Sequence, residues 1–173
     1  MKSGTWWKAL AAAGAAVALV TVLACGRKGA AKEPEFKLIA DSLGDAPMHP
    51  DALKLDNLAL AHDGSLATRW TTVGDMEPGY FLELDLPKTR RVAGLVLDAS
   101  PSPNDYPRRF VVEVSDRDNE WVEAAVCGPE ATAKGITTVT FARPYAARKI
   151  LLTLNEAAPY WWSVYEIKVK YAS

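Results

Sequence analysis

The stretch FLELDL, residues 81–86, decides the fold, because leucine alternates with acidic residues along it. Leu82, Leu84 and Leu86 would face one side of an extended strand, and Glu83 and Asp85 the other, since successive side chains of a strand point to opposite faces. This period of two predicts a β-strand with one buried face.

The same alternation recurs on either side of this strand. Residues 110–114 place Phe110, Val112 and Val114 on one face, and no segment after residue 36 sustains a helical repeat over three turns. Residues 50–53 would form at most one helical turn. Short strands separated by proline, glycine and aspartate turns predict an all-β antiparallel sandwich. Further strands are predicted at 92–97, 121–123, 136–141, 149–154 and 164–171, with turns at 87–88, 101–105, 116–119, 128–129 and 143–144.

Composition excludes several classes of protein. The 173 residues include 20 Lys and Arg against 21 Asp and Glu, a net charge of −1, whereas a protein that coats nucleic acid needs a clear cationic excess. A hydrophobic fraction of 49% excludes a disordered chain. Two cysteines exclude a disulfide-dense scaffold and a cysteine-based zinc finger.

The first 25 residues are typical of a secretory signal. They contain Lys2 and Lys8 but no acid, and residues 9–24 are uncharged, a run shorter than the roughly 20 residues of a bilayer span. The following VLAC, residues 22–25, resembles the bacterial lipobox, which implies a lipoprotein signal peptide over 1–24 and lipidation of Cys25. The alternatives are an uncleaved N-terminal anchor and cleavage by the ordinary signal peptidase.

This interpretation divides the chain into three segments. Residues 1–24 would be the signal peptide, residues 25–35 the lipidated Cys25 with a flexible tether (GRKGAAKEPE, residues 26–35), and residues 36–173 the folded domain. Gly26 and Arg27 do not resemble an inner-membrane retention signal. We therefore expect a lipid-anchored protein of the bacterial cell envelope, facing the periplasm or the cell surface, with the outer membrane favoured. Cys127 is predicted to be a small buried apolar side chain.

Five segments in order resemble the discoidin-like, or coagulation factor five/eight C-type, domain. They are residues 62–70 (HDGSLATRW), 77–86 with 92–95, 106–115 with Trp121, 147–152 and 162–167 (WSVYEI). The family shares its galactose-binding-like fold with bacterial carbohydrate-binding modules. The resemblance implies an eight-stranded antiparallel jelly-roll β-sandwich.

The resemblance also implies a structural calcium ion. In the family, the loop that matches Asp63 meets the last strand, which matches Glu166, and these two side chains would bind calcium together with oxygens of Ser65 and Thr68. Calcium prefers six to eight oxygen ligands, and Gly64 would permit the sharp turn. Ser65 departs from the Asp or Asn common in the family. The alternative is a tight polar turn that holds no metal.

The sequence PYWW, residues 159–162, offers a candidate ligand surface. Three adjacent aromatic residues before a strand cannot all enter one core, and Trp162, like Trp70 and Trp121, is predicted to be a core residue. Tyr160 and Trp161 would then form an exposed platform for a sugar ring, or else would cap the open end of the sandwich. Tyr106 and Arg108, in the loop that starts at Asp105, are further predicted ligand contacts.

Enzyme signatures are missing from the sequence: it has no nucleophile elbow, zinc-protease helix, phosphate loop or dinucleotide fingerprint. We therefore predict a non-catalytic lipoprotein that binds a carbohydrate, such as a galactose-type glycan, through loops at one end of the sandwich. The alternative is a protein-interaction or structural subunit of an envelope complex with no sugar ligand. His49, His62 and the pair Arg90-Arg91 are expected to have ordinary loop or surface roles.

Overall fold

The computed structural model describes residues 36–42, 55–117 and 120–173. The predicted signal peptide, Cys25, the tether, His49 and the helical turn at residues 50–53 lie outside this part of the chain. Within it, no helix is long and apolar enough to cross a bilayer.

Antiparallel strands make up most of the described chain. A 3₁₀ segment, Leu55–Ala61, follows the first strand, and a shorter one, Pro129–Ala131, precedes the sixth. The nine strands among the described residues are β1 Lys37–Ser42, β2 Trp70–Thr71, β3 Tyr80–Asp98, β4 Phe110–Ser115, β5 Val122–Cys127, β6 Thr132–Ala133, β7 Ile136–Leu154, β8 Ser163–Val164 and β9 Glu166–Tyr171.

Two strands of 19 residues, β3 and β7, organise the sheet. The first half of β3 pairs with β1 and with the second half of β7, which continues to β4 and β5. The second half of β3 pairs with β9 and with the first half of β7, which also pairs with β6. Counting each half of β3 and β7 separately, and leaving out the two-residue strands, gives eight antiparallel strands, as predicted for the β-sandwich.

Both long strands continue through positions that the sequence predicted as turns. The β3–β7 register shifts between Asp85 and Arg90 and again between Val92 and Gly94. Pro87 and Pro144 fall inside these irregularities, where the N–H that proline lacks is not needed by the ladder. The predicted strands 81–86 and 92–97 are thus one strand that bends, and so are 136–141 and 149–154.

The core confirms the alternation that predicted the fold. Leu82, Leu84 and Leu86 are fully buried, and each contributes roughly 1.5–3 kcal/mol through burial. Trp70 and Trp162 are also fully buried and meet edge to face, with ring centroids 5.5 Å apart. Trp121, which was predicted to be a core residue, is only half-buried and lies just before β5. This position is where the chain approaches the sandwich edge.

Gly94 lies directly against the backbone of β7. A β-carbon built at this position would lie 2.2 Å from the carbonyl oxygen of Val139 on the paired strand, well inside van der Waals contact. The obstacle is backbone in the middle of a ladder, so it cannot be relieved by a rotamer change.

We expect Gly94→Ala to lower the free energy of unfolding by about 3 kcal/mol, because the two central strands must separate to admit a methyl group. Gly74→Ala is the matched control, since no atom lies within 4 Å of its added β-carbon, and it should change stability by less than about 0.5 kcal/mol. Urea denaturation of both variants measures the difference. Equal stability of the two variants would contradict this account of the bend.

Cys127 is buried, as predicted, at the end of edge strand β5. Burial, and next the nearby Glu130 carboxylate, raise the pKa of its thiol from 9.0 to about 11. The thiolate is the reactive form, so the native protein at pH 8 holds about 100-fold less of it than a model thiol does.

Residues 26–173 contain this cysteine alone, so its reaction with a disulfide reagent can be followed directly. At pH 8 we expect the native thiol to react at least about 100-fold more slowly than the same thiol in urea. The native rate should rise with pH towards 11. A native rate close to the unfolded rate would show that the thiol is neither buried nor perturbed.

Candidate functional site

The loop after the first 3₁₀ segment closes around the side chain of Glu166. Its Oε1 accepts hydrogen bonds from the backbone N–H groups of Gly64 at 2.6 Å and Ser65 at 3.0 Å. Gly64 has a φ of +84°, a conformation that L-residues seldom adopt. The loop is thus joined to the start of β9, about a hundred residues further along the chain.

Asp63 organises the same loop from its other side. One carboxylate oxygen accepts the N–H of Ser65 at 2.9 Å, and the other accepts the hydroxyl of Thr68 at 2.6 Å. That hydroxyl also lies 3.4 Å from the carbonyl oxygen of Ser65. The structure therefore brings together all four predicted calcium ligands, Asp63, Ser65, Thr68 and Glu166.

The donor set of this loop suits a hard cation. It offers two carboxylates, one hydroxyl and one carbonyl, all oxygens, as calcium prefers. In the described part of the chain, no three His, Cys, Asp or Glu side chains form a metal-binding group, so neutral oxygens would have to complete the shell. This composition fits calcium better than a transition metal, which would favour nitrogen or sulfur ligands.

A stack of three side chains joins two further loops. The guanidinium carbon of Arg108 lies 3.7 Å from the ring centroid of Tyr106 and 4.9 Å from that of Tyr160. Its Nη2 donates to the carbonyl of Asn104 at 2.8 Å, whereas Nη1 is buried and makes no hydrogen bond. Arg108 therefore clamps the loops together by cation–π contacts rather than presenting a free guanidinium.

Trp161 stands outside this stack, with 41% of its surface exposed, and Tyr160 is 40% exposed. The next residue, Trp162, is fully buried against Trp70. The structure thus separates the three adjacent aromatics as predicted, with two outside the core and one in it. All four predicted ligand residues, Tyr106, Arg108, Tyr160 and Trp161, belong to the same pair of loops.

Backbone hydrogen bonds hold these loops in place. Met76 donates to the carbonyls of both Ala158 and Tyr160, and Ala158 donates back to Met76. Ser163 donates to the carbonyl of Asp105 at 2.9 Å, which ties the aromatic loop to the loop that carries Tyr106. The exposed rings therefore sit on a braced backbone, which lowers the entropy cost of binding a ligand.

A polar network beside Trp161 was missed by the sequence analysis. Nη1 of Arg69 donates to the hydroxyls of Ser102 at 2.8 Å and Tyr165 at 3.1 Å, and it lies 3.4 Å from a carboxylate oxygen of Asp105. The guanidinium carbon is 6.0 Å from the Trp161 ring centroid. The available signal was the position of Arg69 directly before the buried Trp70, since alternation turns it away from the core.

The network and the cation loop share two stretches of chain. Thr68 belongs to the cation loop and its neighbour Arg69 to the network, and likewise Glu166 and Tyr165 are neighbours. Tyr165 is held by its N–H bond to the carbonyl of Asp98 at 2.8 Å. An ion bound at one position would therefore fix the backbone that carries the other.

Comparison with known proteins places this architecture in a family. The sequence model of the F5/8 type C domain matches residues 49–167. The chain belongs to the F5/8 type C domain family. No match was found among curated proteins.

Solved structures with the same fold include several carbohydrate-binding modules. The family 32 module of C. perfringens NanJ, solved with galactose, is 22% identical over 78% of this chain and 93% of its own, with a TM-score of 0.59. A C. perfringens family 32 module solved with GalNAc-β-1,3-galactose is 22% identical over 79% and 95%, with a TM-score of 0.60. The chitosan-binding module 1 of a Paenibacillus sp. IK-5 chitosanase/glucanase is 20% identical over 78% and 94%, with a TM-score of 0.58.

Proposed function

We propose that this F5/8 type C domain is a non-catalytic carbohydrate-binding lipoprotein of the bacterial cell envelope. The observation that carries the proposal is the exposed pair Tyr160 and Trp161, which lies on braced loops beside the charged network of Arg69 and Asp105. Apolar ring faces suit the C–H face of a sugar, and adjacent charged groups suit its hydroxyls. Solved modules of the same fold hold galactose and GalNAc-β-1,3-galactose, which supports a galactose-type glycan.

The lipid anchor is the second part of the proposal. Its support lies in the sequence, where Cys25 ends an apolar run after a cationic start and ten residues separate it from the domain. Acyl chains on Cys25 would hold the domain at its membrane, with the outer membrane favoured. Several copies on one surface would also raise the avidity of a weak glycan site.

A specific observation favours a second candidate, the protein-interaction subunit. Edge strand β5 turns Val122 and Val126 outward, 50% and 57% exposed. An edge strand with exposed apolar side chains can pair with a strand of another protein.

The first experiment screens residues 26–173 on a glycan and polysaccharide array. Solved modules consist almost wholly of this domain, so it is expected to fold alone. Trp161→Ala should weaken glycan binding at least tenfold, since covering a large apolar side chain contributes about 1.5–3 kcal/mol, while Trp161→Phe retains most of the affinity. Val122→Ala, which removes an exposed apolar side chain from the end of β5 away from these loops, should bind normally. A blank array with folded protein would favour the interaction subunit.

Arg108 and its neighbour Arg109 provide a second, matched comparison in the same assay. Arg108→Gln removes the cation between Tyr106 and Tyr160, so it should lower glycan affinity several-fold by loosening the platform. Arg109 is exposed and pairs with Glu156 at 3.4 Å, so Arg109→Gln should leave affinity unchanged. Equal effects of the two variants would show that Arg108 does not contribute to binding by holding the two loops together.

Calcium bound by Asp63, Ser65, Thr68 and Glu166 is a further part of the proposal, supported by the oxygen-rich loop that these residues form. Its role would be structural: it would supply positive charge that ties the loop to β9. The hydrogen bonds within the loop also fit a turn that holds no metal. The effect of calcium on the free energy of unfolding distinguishes a calcium site from such a turn.

Calcium at about 100 times its dissociation constant should raise the free energy of unfolding by about 2.7 kcal/mol, and a chelator should reverse the rise. Asp63→Asn preserves the shape and one acceptor oxygen but loses the charge, and it should respond much less. Asp75→Asn, at an exposed position away from the loop, should respond like the unmodified protein. If neither calcium nor a chelator changes the thermal unfolding, the loop is a polar turn that binds no metal.

A further inference from the structure

Strand β5 is an edge strand that contains neither lysine nor proline. The sheet runs in the order β1-β3-β7-β4-β5, and among the described strands β5 pairs with β4 alone. The longer edge strands β1 and β9 carry Lys37 and the pair Lys168 and Lys170, whereas the only charged residue of β5 is Glu123. Lysine and proline at an edge prevent pairing with other chains. Strand β5 therefore lacks the protection that the other two edges have.

Two exposed valines lie on opposite faces of β5, on either side of a bulge at Ala124. Val126, 57% exposed, is opposite Val111 on the outer face, and Val122, 50% exposed, is opposite the buried Val114 on the core side. These two are the most exposed large hydrophobic side chains in the described part of the chain. A helix or a flat surface could cover one of the two faces, whereas a strand added to the edge would cover both.

The outer face of β4 and β5 also carries two uncompensated acids. Glu123 lies directly opposite Glu113 on β4, and like charges in this arrangement are destabilising. None of the ion pairs between described residues involves either glutamate. Lys149, on the adjoining strand β7, is paired with Glu83 at 3.3 Å. A partner that supplied a cation beside Glu123 would therefore complete this surface.

We propose that β5 binds an extended, basic segment of a partner protein as an additional strand of the sheet. A lysine or arginine of that segment would lie opposite Glu123, and apolar residues would lie opposite Val122 and Val126. Main-chain hydrogen bonds would provide affinity, and these three side-chain contacts would select the sequence. This inference rests on the second candidate of the proposed function, the protein-interaction subunit, and it uses none of the residues of the aromatic platform.

A second copy of this chain is a poorer occupant of β5 than a basic segment. Two β5 edges paired with each other would bring Glu113 and Glu123 of both copies to one sheet and would add no cation. The same two acids would repel an anionic polymer or membrane. Charge therefore favours a partner with basic residues.

The test selects ligands for residues 26–173 from a displayed library of short random peptides. We expect the enriched peptides to place lysine or arginine between β-branched or aromatic residues. Synthetic copies of these peptides are then measured by fluorescence anisotropy and by amide hydrogen exchange. With a peptide bound, the amides of residues 122–126 that face away from β4 should exchange at least about tenfold more slowly, because a new strand protects them.

Glu113→Gln and Glu123→Gln combined should weaken peptide binding about tenfold, since each exposed ion pair contributes up to about fivefold. The same variant should raise the Tm of the free protein by about 2 °C, because the repulsion is removed. The matched control, Asp75→Asn with Glu77→Gln, removes the same charge from the loop before β3. It should bind the peptides within about threefold of the unmodified protein.

Several results would overturn the proposal. They are no enrichment with folded protein, enriched peptides without basic residues, and equal loss of binding in the glutamate variant and the control. Peptide binding that is abolished by Trp161→Ala would place the peptides on the aromatic platform instead. A dimer that the glutamate variant strengthens in sedimentation equilibrium would assign β5 to a second copy of this chain.

Glycan binding is measured on the same variants. Normal glycan binding with no peptide binding would reject the strand site and keep the carbohydrate-binding proposal. Peptide binding by a protein that binds no glycan would reject the carbohydrate-binding proposal and keep β5 as an interaction edge.

Discussion

The pairing of β3 with β7 is the constraint on which the rest of the structure depends. Each strand serves both layers of the sandwich, so one register positions two buried faces at once. A slip of one residue would turn Leu82, Leu84 and Leu86 outward and would misplace the second layer as well. The close contact at Gly94 ties this register to the position of the bend, because no other residue leaves room for the Val139 carbonyl. From this ladder follow a bend at one end and loops at the other.

At the loop end of the sandwich, neighbouring residues belong to two different clusters, the cation loop and the network that supports the aromatic platform. Neighbouring side chains in an extended segment point in opposite directions, so Thr68 and Glu166 can close one loop while Arg69 and Tyr165 support the platform. The two clusters need no contact with each other to be coupled, because they share a backbone. A cation that orders the first cluster would therefore pre-organise the second.

The sequence predicted the layers better than the connections. Period-two alternation located the inward faces of β3 and β4, because burial on one side imposes a pattern that can be read directly. It did not identify strand β1, and Pro87 and Arg143 were interpreted as turns. A bulge that accommodates proline depends on the partner strand's register, which is a property of the fold and not of the local sequence.

In the candidate site too, features of a short sequence segment were predicted, whereas contacts between distant segments were not. The four residues of the cation loop were predicted from the resemblance to the family. Tyr160 and Trp161 were predicted because three adjacent aromatic residues cannot all enter one core. The network around Arg69 could not be predicted, since Ser102 and Tyr165 are brought to it from distant segments. Arg108 was expected to contact ligand, yet the stack between Tyr106 and Tyr160 gives it a positioning role that only the tertiary structure reveals.

The bend that makes the sandwich also gives the domain a direction. Strand β1 begins beside the bend, and the aromatic loops lie at the opposite end of the same sheet. The cationic side chains of the bend, Lys88, Arg90, Arg91 and Arg143, are exposed and contribute little to the core. In the proposed lipoprotein, this arrangement would leave the aromatic loops on the side away from the bilayer, where they could meet glycans.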